Sequence, residues 1–592
     1  MEKETQSFKQ SFTVLRWYVQ PEWKRVLALF LLLFVAIGLQ LLQPRILADF
    51  IDLATGEVSV TTMGGLSSLT AVALLFIFIA FIYQLFAAVA AYVTQDVRWR
   101  TTNELRADLA WHVLNLDMAF HNGRTAGEMI SRVDEDVNTL SNFFSQFIIQ
   151  VLGNGLLILG VIIVLARQDW RIGVGFVGFV IVTAAVLNTL IKLAIPAWEA
   201  FLAMGAKLFG FIEERLAGTE DIRANGTVAY TMLRLHQTLR QQYVVEQKGF
   251  ALGMLTFSST QGLFRVGTAL GLGLGGWLYL QGSITIGSVF LITTYSAMLQ
   301  EPLRRLTQQL QDFQRAVAGV SRIQQLFLTQ SSIQNDESSG VRLPDGALAV
   351  QFRSVNFAYT ADKPVLHDLN FYLRPGEVLG LLGRTGSGKT TTTRLIFRLY
   401  EACGGVVRLG NRPVQAVPLA HLRQKVGLVT QEVQLFNATI RDNLTFFNAA
   451  VSDTQILAAL TDLELTTWYE SLPHGLDTML EAGGQGLSAG EAQLLAFTRV
   501  FLQDPGLIIM DEASSRLDPA TEFLIERAID KLLLNRTAVI VAHRLKTVQR
   551  ADTILILENG RVKELGARVK LMNTPDSYFN QLLQTGLEEV LV

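Results

Sequence analysis

The residues best suited to chemistry form one short run, Gly383-Arg384-Thr385-Gly386-Ser387-Gly388-Lys389-Thr390, followed directly by Thr391. Closely spaced glycines let successive backbone N–H groups turn inward around an anion. A lysine and a hydroxyl at the end of such a loop reach phosphate oxygens and a hard cation. The apolar residues Val378 to Leu382 before it read as a buried strand. Thr391 to Tyr400 reads as a helix, whose N-terminus adds a dipole favourable to phosphate. Strand, glycine loop, Lys-Thr and helix in that order predict a nucleoside-triphosphate site, with Lys389 on the β- and γ-phosphates and Thr390 on Mg²⁺. Two further apolar runs end in ionisable groups. Leu507 to Met510 precedes Asp511 and Glu512, an arrangement in which the first acid holds Mg²⁺ and the second orients or deprotonates a water. Ala538 to Ala542 delivers His543 at its end.

These residues need a scaffold, and the chain is long enough for several domains at 592 residues. Half of it is hydrophobic and only 17% is charged, which points to membrane spans. A net charge of −2 gives no reason to expect nucleic acid as a partner. The single cysteine, Cys403, excludes an intramolecular disulfide framework. Met1 to Arg25 lacks the apolar core of a signal peptide and reads as an amphipathic helix at a membrane surface.

Six apolar runs are candidate spans: residues 26–43, 66–93, 147–166, 170–191, 253–280 and 284–299. Residues 53–65 and 281–283 contain no Lys or Arg, whereas the N-terminus, 96–142 and 192–248 contain many. The positive-inside rule therefore puts the latter three in the cytoplasm, together with the phosphate loop. Both long cytoplasmic excursions keep helical periodicity, so the spans are expected to continue as helices below the membrane. Within the spans, Arg265, one turn after Gln261, is the costliest group in lipid. It reads either as lining for a polar or anionic cargo path or as a partner of another helix. A basic helical stretch, 301–328, leads to a polar linker at 329–346. The expected architecture is an all-α six-helix transmembrane domain (1–328) with long cytoplasmic extensions, followed by an α/β nucleotide-binding domain (347–592).

The order of these motifs resembles an ATP-binding-cassette exporter of the half-transporter type, over nearly the whole chain. The resemblance implies roles residue by residue. Tyr359 stacks on adenine, Gln431 contacts Mg²⁺ and the membrane helices, and Asp511 and Glu512 are the magnesium-linked and catalytic acids. Asp518 lies in the loop that crosses a dimer interface, and His543 is the switch histidine on the γ-phosphate. Leu487-Ser488-Ala489-Gly490-Glu491 occupies the place of the family signature, which faces the ATP of a second subunit. Residues 127–137 and 216–222 resemble the two coupling regions.

The family signature reads Leu-Ser-Gly-Gly-Gln, so Ala489 and Glu491 depart from it. A Cβ at 489 is expected to hinder close backbone approach, and a carboxylate at 491 to oppose an anionic nucleotide if it points inward. With Glu512 and His543 both present, the departure suggests a heterodimer with a second half-transporter that carries a standard signature. The implied activity is Mg-ATP-driven export, or leaflet-to-leaflet translocation, of a hydrophobic or amphipathic compound, lipid or peptide across the cell membrane. The alternative is an ATP-binding regulatory subunit that gates a partner without hydrolysing.

Overall fold

A computed structural model describes residues 20–56, 69–146, 151–335, 337, 340–360, 362–430, 433–481, 487–511, 519–542 and 548–585. Most of the surface helix expected at Met1 to Arg25 lies outside the described residues. Backbone contacts group the chain into two units, Met1–Leu114 with Ala126–Thr329, and Asn115–Thr125 with Gln330–Val592.

The first unit is helical because in lipid each backbone polar group must be satisfied within its own segment. Its long helices are α1 (Trp23–Thr55), α2 (Leu69–Leu114), then beyond the short α3 (Met118–Asn122) of the second unit, α4 (Asn154–Gln168), α5 (Trp170–Ala217) and α6 (Val228–Leu280). Five helices among the described residues are long and apolar enough to cross a membrane. α2, α5 and α6 have 46, 48 and 53 residues. At about 1.5 Å per residue they are more than twice as long as a bilayer core about 30 Å thick.

The sixth apolar run is carried by α7 (Ile286–Met298), and a break at its last residue, Leu299, separates it from α8 (Gln300–Leu328) in the basic stretch that follows. Pro302 supplies the reason: it donates no N–H and is tolerated only in the first turn of a new helix. The first span is longer than its apolar run suggests. α1 continues through Pro44 and carries Arg45, Asp49 and Asp52. Asp52 is buried and caps α7, with Oδ1 accepting from Gly287 N (2.7 Å) and Oδ2 from the Thr285 hydroxyl (2.7 Å).

α6 buries Phe264, Gly267, Gly271, Gly275 and Leu278 at helical spacing. A Cβ on Gly267 would lie 2.4 Å from the Phe179 ring of α5, so the small residue permits the close crossing. In the stem of the same unit, Arg322 pairs with the buried Asp136, and Arg106 pairs with Asp134 at 2.8 Å.

The second unit is α/β. Strands β1 (Val350–Thr360) and β2 (Lys363–Leu373) pair antiparallel, and β1 also pairs with β4 (Gly404–Leu409), which is followed by β5 (Arg412–Pro413). The larger sheet runs β12-β11-β3-β10-β9-β6, with β3 at Val378–Leu382, β6 at Val426–Val429, β9 at Leu507–Asp511, β10 at Thr537–Val541, β11 at Thr553–Glu558 and β12 at Arg561–Ala567. β3, β9 and β10 are parallel and almost wholly buried, as continuous apolar runs should be. Val541 pairs with both Leu381 and Asp511. The carboxyl ends of these three strands therefore share one edge, where open α/β sheets bind ligands.

Candidate nucleotide site

The loop after β3 leads into α9 (Lys389–Ile396). Gly383 and Gly388 take φ values of +147° and +104°, a region that L side chains avoid. A Cβ on Gly383 would lie 2.4 Å from the Leu557 carbonyl oxygen, and one on Gly388 would lie 2.5 Å from Leu366 Cδ2. The loop conformation thus requires glycine at both places. Lys389 is buried, and its ammonium donates to the carbonyls of Gly383 and Arg384. The Ser387 hydroxyl is buried with no hydrogen-bond partner among the described residues. Gly383 to Ser387 line one wall of a pocket that Ile556 to Asn559 close on the other side. Glycine backbone, an inward lysine and an unpartnered hydroxyl suit a phosphate chain.

The Thr390 hydroxyl donates to Asp511 Oδ2 at 3.4 Å, joining groups 121 residues apart. Two hard oxygens at the mouth of a phosphate loop fit Mg²⁺. Tyr359 is held by its hydroxyl, which meets Thr391 Oγ1 and Arg394 Nη1, both at 3.1 Å, while its ring remains partly exposed. Such a ring is free to stack on a base. Its edge rests on Tyr400 at 5.1 Å between centroids.

Tyr400 brings in a segment that motif reading did not connect to the nucleotide. Its hydroxyl accepts from Asn122 Nδ2, in the segment Asn115–Thr125 that the chain places between α2 and the later stem helices. Asp117 caps α3 by accepting from Phe120 N at 3.0 Å. It also accepts from the Ser332 N–H and hydroxyl, both at 2.6 Å. Burial alone would raise the Asp117 carboxyl, but the hydrogen bonds from Ser332, Phe120 and Ser331 outweigh it and hold the group below its ordinary range. No local pattern announces the contacts of Asn122 with Tyr400 and of Asp117 with Ser332, because these partners lie more than 200 residues apart.

The signature segment opens α12, which follows α10 (Ile440–Thr445) and α11 (Thr466–Glu470) and spans Ala489–Gln503. Ala489 is the first helical residue, a right-handed conformation open to any L-residue, so the expected demand for glycine is absent from this backbone. Ser488 and Glu491 form a capping box. The Ser488 hydroxyl accepts from Glu491 N (3.2 Å), and Glu491 Oε2 accepts from Ser488 N (2.7 Å). Glu491 Oε1 accepts from Trp468 Nε1 at 3.0 Å. The carboxylate is directed at its own helix cap and at α11. The Ser-x-x-Glu spacing was a readable sign of this cap; Trp468 was not.

Farther along α12, Arg499 donates to the Asn443 carbonyl (2.6 Å) and the Gln434 carbonyl (3.1 Å) and lies over the Phe446 ring. Burial lowers its pKa to about 10, which leaves it charged at neutral pH. In the membrane unit Gln261 accepts from Gln300 Nε2 at 3.1 Å. Arg265, one turn away, is exposed within its unit and has no ion pair among the described residues. Gln431, Glu512, Asp518 and His543 lie outside the described residues; Glu512 follows Asp511 in sequence and His543 follows Ala542.

Two family models match the chain: the ABC transporter transmembrane region over residues 26–303, and the ABC transporter domain over residues 366–515. Similar curated proteins include the ABC transporter ATP-binding protein YfiC of Bacillus subtilis, 29% identical over 97% of this chain and 94% of its own. An ATP-dependent lipid A-core flippase of Syntrophus aciditrophicus is 29% identical over 81% of this chain and 80% of its own. A fatty acid ABC transporter ATP-binding/permease protein of Mycobacterium bovis is 29% identical over 81% and 76%. Among solved structures, a bacterial Atm1-family ABC exporter with ATP bound superposes with a TM-score of 0.79 at 22% identity, covering 95% of this chain and 98% of that one.

Proposed function

From the premise that this chain belongs to the ABC transporter family as an ATP-hydrolysing, multi-pass membrane exporter, we propose that it moves an amphipathic, lipid-like compound and works as one half of a heterodimer. The observation that carries the ATPase half of this reading is the contact of Thr390 with Asp511 beside a glycine-built phosphate loop. In the proposed cycle Tyr359 stacks on the base, and the backbone N–H groups of Gly383 to Gly388, including those of Arg384, Thr385, Gly386 and Ser387, hold the phosphates. Lys389 turns from its loop carbonyls to phosphate oxygens. Thr390, Asp511 and Gln431 hold Mg²⁺, which when bound neutralises charge on the phosphates. Glu512 takes the proton of the attacking water, and His543 donates to the γ-phosphate oxygens. Asp518 crosses to the partner subunit, whose signature completes the site.

The second site of the dimer receives this chain's Ser488, Ala489, Gly490 and Glu491. A partner with a standard signature makes the first site the faster one. Because both sites close together in the proposed cycle, the fit of this chain's signature at the second site also limits turnover at the first. Support for an amphipathic cargo comes from two sources. One relative is named for lipid A-core and another for fatty acid. Gln261 and Arg265 add polar and cationic groups to the apolar stretch 253–280, in which Arg265 is the one charged residue.

The test is co-purification with the second half-transporter, reconstitution into proteoliposomes, and measurement of ATPase and lipid translocation with and without Glu512→Gln. Collapse of both activities supports the exporter reading. ATPase and transport that survive the substitution make this chain a regulatory subunit. Full transport by the chain alone as a homodimer overturns the heterodimer.

A further inference from the structure

We propose that Trp468 is a positioning residue for the signature half-site, acting through Glu491, and that the pair makes glutamate the functional residue at that position of this chain. The inference rests on the reading that Leu487 to Glu491 faces the nucleotide of a second subunit.

Two donors converge on one side chain. The Ser488 N–H points at Glu491 Oε2 at 2.7 Å, and the Trp468 indole N–H points at Oε1 at 3.0 Å. A carboxylate meets both because it offers two acceptor oxygens and no proton. Glutamine offers one acceptor oxygen, and its amide nitrogen would face whichever donor the oxygen did not take. Trp468 is only 9% exposed, so a displaced indole N–H would find little water to replace its partner.

The consequence reaches the nucleotide-facing end of α12. Ser488 N–H belongs to the residue whose hydroxyl caps the helix, and Trp468 belongs to α11. Glu491 therefore ties the first turn of the signature helix to α11 by one bond on each side. Substituting the family glutamine breaks one of them and lets the first turn shift relative to α11. Trp468 touches no nucleotide in this scheme; it fixes the direction in which Ser488 and Ala489 present themselves.

The test is a double-mutant cycle in the reconstituted heterodimer, built from Glu491→Gln, Trp468→Phe and both together. ATPase kcat, KM for ATP and the thermal midpoint are measured for each. Glu491→Gln, although it restores the family residue, is expected to lower kcat by about three- to tenfold, the effect of one lost buried hydrogen bond. Trp468→Phe is expected to lower it similarly, with KM within about twofold for both. The double variant is expected to be no slower than Trp468→Phe alone, because without the indole a glutamine oxygen is free to cap Ser488.

A rise in kcat on Glu491→Gln overturns the proposal, as do losses that simply multiply in the double variant. Coupling in the thermal midpoint with kcat unchanged in all three also overturns it, since the pair would then stabilise without positioning. Failure of the underlying reading has a different signature: the unsubstituted heterodimer would show no ATPase that depends on Glu512.

Discussion

The phosphate loop and the signature segment both present the start of a helix, yet the first keeps its family pattern and the second departs from it twice. The difference lies in what each asks of the backbone. Gly383 and Gly388 adopt positive φ and press against Leu557 and Leu366, so a side chain at either place meets both strain and atoms. Ala489 begins an ordinary right-handed helix, and the capping box with Ser488 accepts Glu as readily as Gln. A pattern imposed by backbone geometry leaves almost no freedom. One imposed by side-chain hydrogen bonds can be met by a different residue with the right acceptors.

The contrast is tested most severely at the acid beside Asp511. Glu512→Gln in the proposed heterodimer is expected to lower the ATPase rate by about 10²- to 10⁴-fold while ATP binding persists. Removal of the signature hydroxyl by Ser488→Ala should act more mildly on the fold, costing about 1 kcal/mol through the lost cap. Nucleotide binding by filter assay and phosphate release separate the two. If Glu512→Gln leaves turnover intact, the phosphate-loop side is not the catalytic half.

Gly388→Ala and Ala489→Gly form a matched pair of methyl changes in opposite directions. The first forces an alanine into a left-handed conformation at a cost of about 1–2 kcal/mol and drives its Cβ toward Leu366. ATP affinity is expected to fall about tenfold or more. The second removes a methyl from the first turn of a helix and should cost at most about 1 kcal/mol. Turnover is expected to stay within about threefold of the parent. An Ala489→Gly variant that gains tenfold in turnover would mean that the signature, too, is ruled by steric approach to the nucleotide.

What could be read from the chain follows the same division. The phosphate loop, the buried strands that end at Asp511 and Ala542, and the long apolar helices are local patterns, and periodicity or glycine spacing reveals them. The end of α1 was not legible, because Pro44 and Arg45 look like a stop while Asp52 finds its partners on α7, more than 230 residues later. The break at Leu299, between the sixth apolar run and the basic stretch after it, shows only through Pro302. Trp468, Asn122 and Tyr400 act through side-chain contacts between distant segments, which no single stretch of sequence displays. The helix start at Ala489 asks no glycine of its own backbone, and the effect of its Cβ on approach to a nucleotide is what Ala489→Gly measures.

Asn122 offers a smaller test on the side of the site away from the phosphates. Its amide holds the Tyr400 hydroxyl, and Tyr400 supports the edge of Tyr359. Tyr400→Phe keeps the ring and removes the hydrogen bond, a loss of about 0.5–1.5 kcal/mol. KM for ATP is expected to move by less than about threefold, because the stacking surface remains. The fraction of ATPase activity that responds to the proposed lipid-like cargo should fall, since Asn122 lies in the segment between the stem helices. Equal loss of basal and stimulated rates would place Tyr400 with the phosphate-loop residues and not with the segment Asn115–Thr125.

Asp117 repeats the signature's device in the segment Asn115–Thr125. It caps α3 with a side-chain acceptor and uses its second oxygen on Ser332, as Glu491 divides its oxygens between Ser488 and Trp468. Its folded-state pKa is depressed, so the ionised form is the one favoured by folding. Its contribution is present above the unfolded value, about 3.9, and is lost as pH falls through the lower folded value. Pepsin cleavage between residues 115 and 125 should therefore be suppressed at pH 5 and increase below about pH 4. Asp117→Asn keeps one acceptor oxygen and has no charge to lose. It should cleave somewhat faster than the parent at pH 5, and the difference should shrink as the parent protonates. If the parent and Asp117→Asn show the same pH dependence, the ionised carboxylate is not what holds this segment. Side-chain capping would then be less general in this chain than its two examples suggest.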